Sequence, residues 1–105
     1  MPKTILHCVF LKTEEHCDGL FAEAMDDLSA VVEKMEGASD FSFGPNADFE
    51  KSTPEHSHGF IIRFTSEAAL QAYAEDPEHQ AVGAKLVAMC KGGKAGISVF
   101  DLVTD

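Results

Sequence analysis

The side chains best suited to chemistry lie around a proline that interrupts a helical pattern. Pro77 cannot sit inside a helix, because it has no N–H to donate and its ring clashes with the carbonyl four residues back. Asp76 is a good N-cap residue, and proline is common at the first helical position. Tyr73 therefore ends one predicted helix and His79 begins the next, so that a phenol and an imidazole meet at one helix–helix corner. Taken alone, the pair is more typical of a structural corner, with Tyr73 half-buried and His79 on the surface.

This pair could remove a proton from a carbon next to a carbonyl. Neutral histidine is a suitable general base near pH 7. His79 would lie at the positive end of a helix dipole, which disfavours the imidazolium form. The Tyr73 hydroxyl could donate to the oxyanion that develops. The spacing thus brings a candidate base and a candidate hydrogen-bond donor together at one corner, and it does not by itself identify a reaction.

Two further histidines lie on predicted strands, His7 on the first and His58 on the third. Each has apolar neighbours on its own face, so each is either a core imidazole held by one hydrogen bond or part of a pocket shared with Tyr73 and His79. His56 and His58 are two residues apart, a strand spacing that predicts side chains pointing the same way. Imidazoles alone make an incomplete metal site, so we expect no metal, although a metal on His56 and His58 stays an alternative.

The elements that must position these residues follow the order β-α-β-β-α-β, with the second helix split at Pro77. Asp18 is a candidate N-cap for the first helix, and Gly37 a candidate stop. The predicted strands cover 5–11, 40–43, 56–64 and 97–102, and the predicted helices 20–35, 66–73 and 77–90. This order is that of an α+β, ferredoxin-like antiparallel sheet with helices on one face.

The first and third predicted strands are apolar on both faces. A sheet with helices on one side should expose polar residues on the other. In a chain of this size another copy has to cover the outer face. The pattern predicts a homodimer that packs its sheets face to face.

Composition excludes several classes of partner. A length of 105 residues fits one domain, residues 1–105, and a formal charge of −10 disfavours nucleic acid and anionic membranes. No apolar run reaches the length of a membrane span. Three cysteines without a C-x-x-C pair predict free thiols and a cytoplasmic protein. Pro2 would be a nucleophile only after removal of Met1.

Several short motifs together resemble the stress-responsive A/B barrel family, whose members are dimeric α+β barrels. The matching segments cover almost the whole chain: 7–12, 43–46, 58–64, 72–79 and 99–101. The resemblance extends to a plant polyketide cyclase, olivetolic acid cyclase, which closes a ring by an intramolecular aldol reaction without a cofactor.

By that resemblance Tyr73 and His79 are catalytic, His7 and His58 bind substrate, and a small apolar or aromatic molecule lies between sheet and helices. The loop over 47–55 departs from that relative, so the identity of the substrate does not transfer. Two alternatives stay open. One is a cofactor-free monooxygenase of the same fold, and the other is a stress-related protein that binds a small molecule without catalysis.

Overall fold

The chain folds into a four-stranded antiparallel sheet with three α-helices, in a computed structural model that describes residues 3–105. The elements are β1 Thr4–Leu11, α1 Asp18–Lys34, β2 Ala38–Pro45, β3 His58–Phe64, α2 Glu67–Glu75, α3 Pro77–Met89 and β4 Ile97–Thr104, with a 3₁₀ turn at Gly93–Gly96 before β4. The strand order is β2-β3-β1-β4. This confirms the ferredoxin-like α+β fold. The suggestion that Pro2 acts as a nucleophile lies outside the described residues.

The core lies between the sheet and the helices. Burial alternates along β3, where every second residue from His58 to Phe64 is buried. Alternate β1 residues and the apolar stripe of α1 complete the core: Ile5, Val9, Leu11, Phe21, Ala24, Met25, Leu28, Val31 and Val32. Each large side chain that becomes fully buried contributes about 1.5–3 kcal/mol, so this layer fixes how β1 and β3 face the helices.

The predicted break at Pro77 is present. Ser66 caps α2 by accepting a hydrogen bond from the Ala69 N–H at 3.1 Å. Asp76 ends α2 and caps α3, where its carboxylate accepts from the His79 N–H at 2.9 Å. The cap and the proline at the first helical position therefore fix the backbone of His79.

Several predicted boundaries and one cap are wrong. α2 and β4 each end two residues later than predicted, at Glu75 and Thr104. β3 begins at His58 rather than at residue 56. β2 is longer than 40–43, because a bulge between Ser39 and Ser42 lets pairing continue. The N-cap of α1 is Cys17, with no side-chain hydrogen bond. Asp18 is the first helical residue, and its carboxylate contacts His58 instead.

The outer face of the sheet carries exposed apolar side chains. Phe100 and Leu102 on β4 are 55% and 50% exposed. A cleft of about 530 Å³ is lined by Phe10, His56 and Ile61, and its lining also includes the buried His58 and Phe60. Within residues 3–105, no helix is both long enough and apolar enough to cross a membrane.

Candidate functional site

The structure brings Tyr73 and His79 into direct contact. Their ring centroids lie 4.0 Å apart with an interplanar angle of 37°. Tyr73, near the end of α2, is only 1% exposed. The Tyr73 Oη and the His79 Nδ1 are both buried, and neither has a hydrogen-bond partner among residues 3–105. Two unpartnered polar atoms at one corner are unusual, because buried polar groups are nearly always satisfied.

His7 joins this corner from the sheet. Its ring lies edge-on to Tyr73, with centroids 5.8 Å apart and an interplanar angle of 72°. Phe64 packs against His7 in a similar way at 6.0 Å. The His7 side chain is 12% exposed. One strand and two helices thus place His7, Tyr73 and His79 together.

Burial keeps the two unpartnered groups neutral near pH 7. It raises the pKa of Tyr73 above its ordinary value. Burial also lowers the pKa of His79, and the nearby His7 acts in the same direction. The Ala74 carbonyl and the Asp76 carboxylate oppose that change. A neutral imidazole beside a neutral phenol can accept a proton while the phenol donates a hydrogen bond.

His58 lies in a different environment. Its Nε2 contacts the Asp18 carboxylate at 2.8 Å, its Nδ1 contacts the Ser57 hydroxyl at 3.0 Å, and its ring packs on Phe21 at 4.5 Å. In the β1–β3 register His58 pairs with Leu11, four positions from His7, which is about 13 Å along the strand. The structure therefore does not bring His58 to the corner, and its role in substrate binding stays a prediction.

His56 points to the other side of the sheet. Its ring contacts Phe10 on the outer face at 6.5 Å, and its Nε2 lies 3.5 Å from the Ser98 hydroxyl. The prediction that His56 and His58 point the same way is wrong, because His56 precedes β3 and does not follow the alternation of the strand. No group of three potential ligands among His, Cys, Asp and Glu could hold a metal within the described part of the chain.

Asp101 is the one residue of this site for which sequence analysis predicted no role. It lies on β4 directly opposite His7, and its Oδ1 is 2.5 Å from the His7 Nδ1. The signal was present, since Asp101 interrupts an otherwise apolar stretch of β4. Only the β1–β4 register shows that its partner is His7.

Comparison with known proteins identifies the family. The model of the Stress Responsive A/B Barrel Domain matches residues 5–103. The chain belongs to this family. A dimeric ferredoxin-like protein of unknown function from Jannaschia sp. CCS1 is 40% identical, with a TM-score of 0.90 over 94% of this chain and 97% of that one. No curated protein matches the chain.

Two further solved structures show the same fold at low identity. Hydroxynitrile lyase from Passiflora edulis is 13% identical, with a TM-score of 0.83 over 100% of this chain and 96% of that one. A putative antibiotic biosynthesis monooxygenase from Caulobacter crescentus is 18% identical, with a TM-score of 0.80 over 99% and 92%. At these identities the likeness describes the backbone, and function has to be argued from the site.

Proposed function

We propose that the protein is a cofactor-free enzyme that transfers a proton at a carbon next to a carbonyl and closes a ring by an aldol-type reaction. Its substrate would be a small apolar or aromatic-forming molecule of the polyketide type. The base and the hydrogen-bond donor both come from the chain, so the reaction as proposed needs no metal or organic cofactor.

One observation carries this proposal: the Tyr73 Oη and the His79 Nδ1 are buried side by side without partners. Leaving a buried polar group unsatisfied costs about 1–3 kcal/mol. A cost borne twice at one corner is explained if a ligand supplies the partners. A carbonyl or enolate oxygen would satisfy the phenol, and an acidic C–H would lie near the imidazole.

The proposed steps assign one role to each group. His79 takes the proton from the carbon, and the electron pair left behind forms an enolate stabilised by the Tyr73 hydroxyl. The enolate carbon attacks a second carbonyl carbon of the same molecule, which forms the new C–C bond and an alkoxide. The alkoxide takes the proton back from His79. His7 and His58 retain the substrate-binding roles predicted from the sequence.

The protein is also proposed to act as a homodimer that buries the outer sheet face. The apolar side chains of that face are half exposed, including Phe100 and Leu102. The Jannaschia relative is described as dimeric.

The three cysteines of this chain are free thiols in the structure, as predicted. A reducing compartment such as the cytoplasm suits them, so we propose that location.

A monooxygenase is the second candidate, favoured by the fold shared with the Caulobacter protein and by the buried phenol and imidazole. The two reactions differ in oxygen demand, because ring closure consumes no O₂. A protein that binds the same molecules without turnover is the third. One assay separates all three.

The assay incubates the protein with a linear poly-β-ketone thioester and follows cyclised product by mass spectrometry and O₂ with an electrode. Ring closure without O₂ uptake supports the cyclase, and O₂ uptake supports the monooxygenase. Tyr73→Phe and His79→Ala should each lower turnover by about 10²–10³-fold or more. The control is His16→Asn, because His16 is exposed and asparagine readily adopts its positive φ of 64°. Unchanged turnover in both site variants would contradict the proposal.

A further inference from the structure

We infer that Asp101 fixes the tautomer of His7, so that His7 offers its Nε2 to the ligand as a hydrogen-bond acceptor. The site would then select molecules that carry an O–H, as an enol, a phenol or an alcohol, at the point that meets His7. This selection rests on the proposed function only in placing the ligand beside Tyr73 and His79.

The geometry of the pair determines which nitrogen carries the proton. The His7 Nδ1 lies 2.5 Å from the Asp101 Oδ1, and the two residues are direct cross-strand partners. An ionised carboxylate can only accept, so the Nδ1 has to donate. In a neutral imidazole one nitrogen donates and the other accepts. We take His7 as a neutral imidazole with its proton on Nδ1, so that the Nε2 carries a lone pair.

That lone pair is free to meet a ligand. Asp101 is the only hydrogen-bond partner of the His7 ring among residues 3–105. The His7 Nε2 is not among the buried unpartnered atoms, whereas the Tyr73 Oη and the His79 Nδ1 are. The ring meets Tyr73 edge-on at 5.8 Å. We place a ligand that contacts the Tyr73 hydroxyl beside this neighbouring imidazole.

The two contacts make opposite demands on the ligand. The Tyr73 hydroxyl can donate a hydrogen bond, so it would bind an oxygen acceptor of the ligand. The His7 Nε2 would accept a hydrogen bond, so it would bind an O–H donor of the ligand. A hydroxy-carbonyl, an enol of a 1,3-diketone or a phenol with a second oxygen meets both demands, whereas the methyl ether of the same molecule leaves His7 unsatisfied. Sites that hydrogen-bond a substrate O–H reject analogues that lack it.

The tautomer can be measured without any turnover. In protein labelled with ¹⁵N-histidine, two-bond ¹H–¹⁵N correlations at pH 7.5 distinguish the Nδ1–H form of each ring from the Nε2–H form. His7 should be in the Nδ1–H form in the parent protein and should lose it in Asp101→Leu. Asp105→Leu, which removes a carboxylate four residues further on, should leave it unchanged. Either an Nε2–H form or a doubly protonated ring of His7 in the parent overturns the inference, and this result does not depend on how the variants fold.

Selection for an O–H can be tested with a matched pair of probes, orcinol and its dimethyl ether, titrated by NMR. The parent should bind orcinol at least about tenfold more tightly, the value of one hydrogen bond of roughly 1.4 kcal/mol. Asp101→Leu should remove that preference, and Tyr73→Phe should keep it. Equal binding of the two probes by the parent overturns the inference. If instead the tautomer and the preference hold but no polyketide is turned over, the proposed function fails and this inference stands.

Discussion

Replacing Tyr73 by phenylalanine should separate the stability of the protein from the chemistry of its site. The substitution deletes one oxygen from a side chain that is 1% exposed and keeps the ring that packs on Phe64 and His79. The deleted oxygen has no hydrogen-bond partner in the described part of the chain. Packing is therefore retained while an unsatisfied polar group is removed.

The expected size follows from the cost of that group. An unsatisfied buried hydroxyl costs about 1–3 kcal/mol, so its removal should raise the free energy of unfolding by roughly 1 kcal/mol. For a domain of 60–100 residues this corresponds to a rise in melting temperature of about 4–8 °C, and the lower end applies to this slightly longer chain. Loss of the oxyanion donor should lower turnover by about 10²–10³-fold at the same time.

The assay is urea unfolding followed by circular dichroism, at one fixed protein concentration because a dimer's stability depends on it. Ile62→Val, at a fully buried position of β3, serves as the packing control and should lose about 0.5–1.5 kcal/mol. If Tyr73→Phe destabilises the protein by 1 kcal/mol or more, the hydroxyl has a partner within the protein. The Tyr73 hydroxyl would then not be available to a ligand in the way that the proposed function requires.

Three other predictions follow from the same structure. Asp76→Ala removes the cap of α3 and should lower the free energy of unfolding in urea by about 0.5–2 kcal/mol. Glu78→Ala, on the same turn but outside the cap position, should lower it less, and equal losses would contradict the capping role. Burial lowers the pKa of His79 in the folded protein, so the unfolded chain binds the extra proton as the pH falls through about 6.5 and the free energy of unfolding should decrease there. His79→Gln should flatten that part of the pH profile. An unchanged slope would show that His79 is not the group responsible. A double variant, Phe100→Glu with Leu102→Glu, would bury charges in the proposed interface and should sediment as a monomer. Phe49→Glu, at a loop position that is 94% exposed, should leave the dimer intact. A dimer in both cases would show that the interface is not the outer sheet face.

Sequence patterns were sufficient for the fold because each element carried a local signal. The apolar alternation of β3, the 3.6-residue period of α1 and the proline between α2 and α3 each depend on neighbouring residues. Boundaries failed where a distant contact decided them. Asp18 has the type of an N-cap, yet its carboxylate binds a histidine forty residues away.

The candidate site was partly predictable for the same reason. Tyr73 and His79 meet because the chain between them is short and its cap and proline are local. The distance between His7 and His58 depends on the register of β1 against β3, and the contact of His7 with Asp101 depends on the register of β1 against β4. Register is set by the packing of the whole sheet, so neither result could be read from the composition of one strand.

The most direct test of the central claim is a crystal structure of the protein soaked with a phenolic probe such as orcinol. The account predicts that a ligand oxygen lies within hydrogen-bond distance of the Tyr73 Oη, between His7 and His79, in every copy of the chain. The contradicting result is a ligand that is ordered at full occupancy only in the cleft beside Phe10 and His56, while the Tyr73 hydroxyl still has no partner.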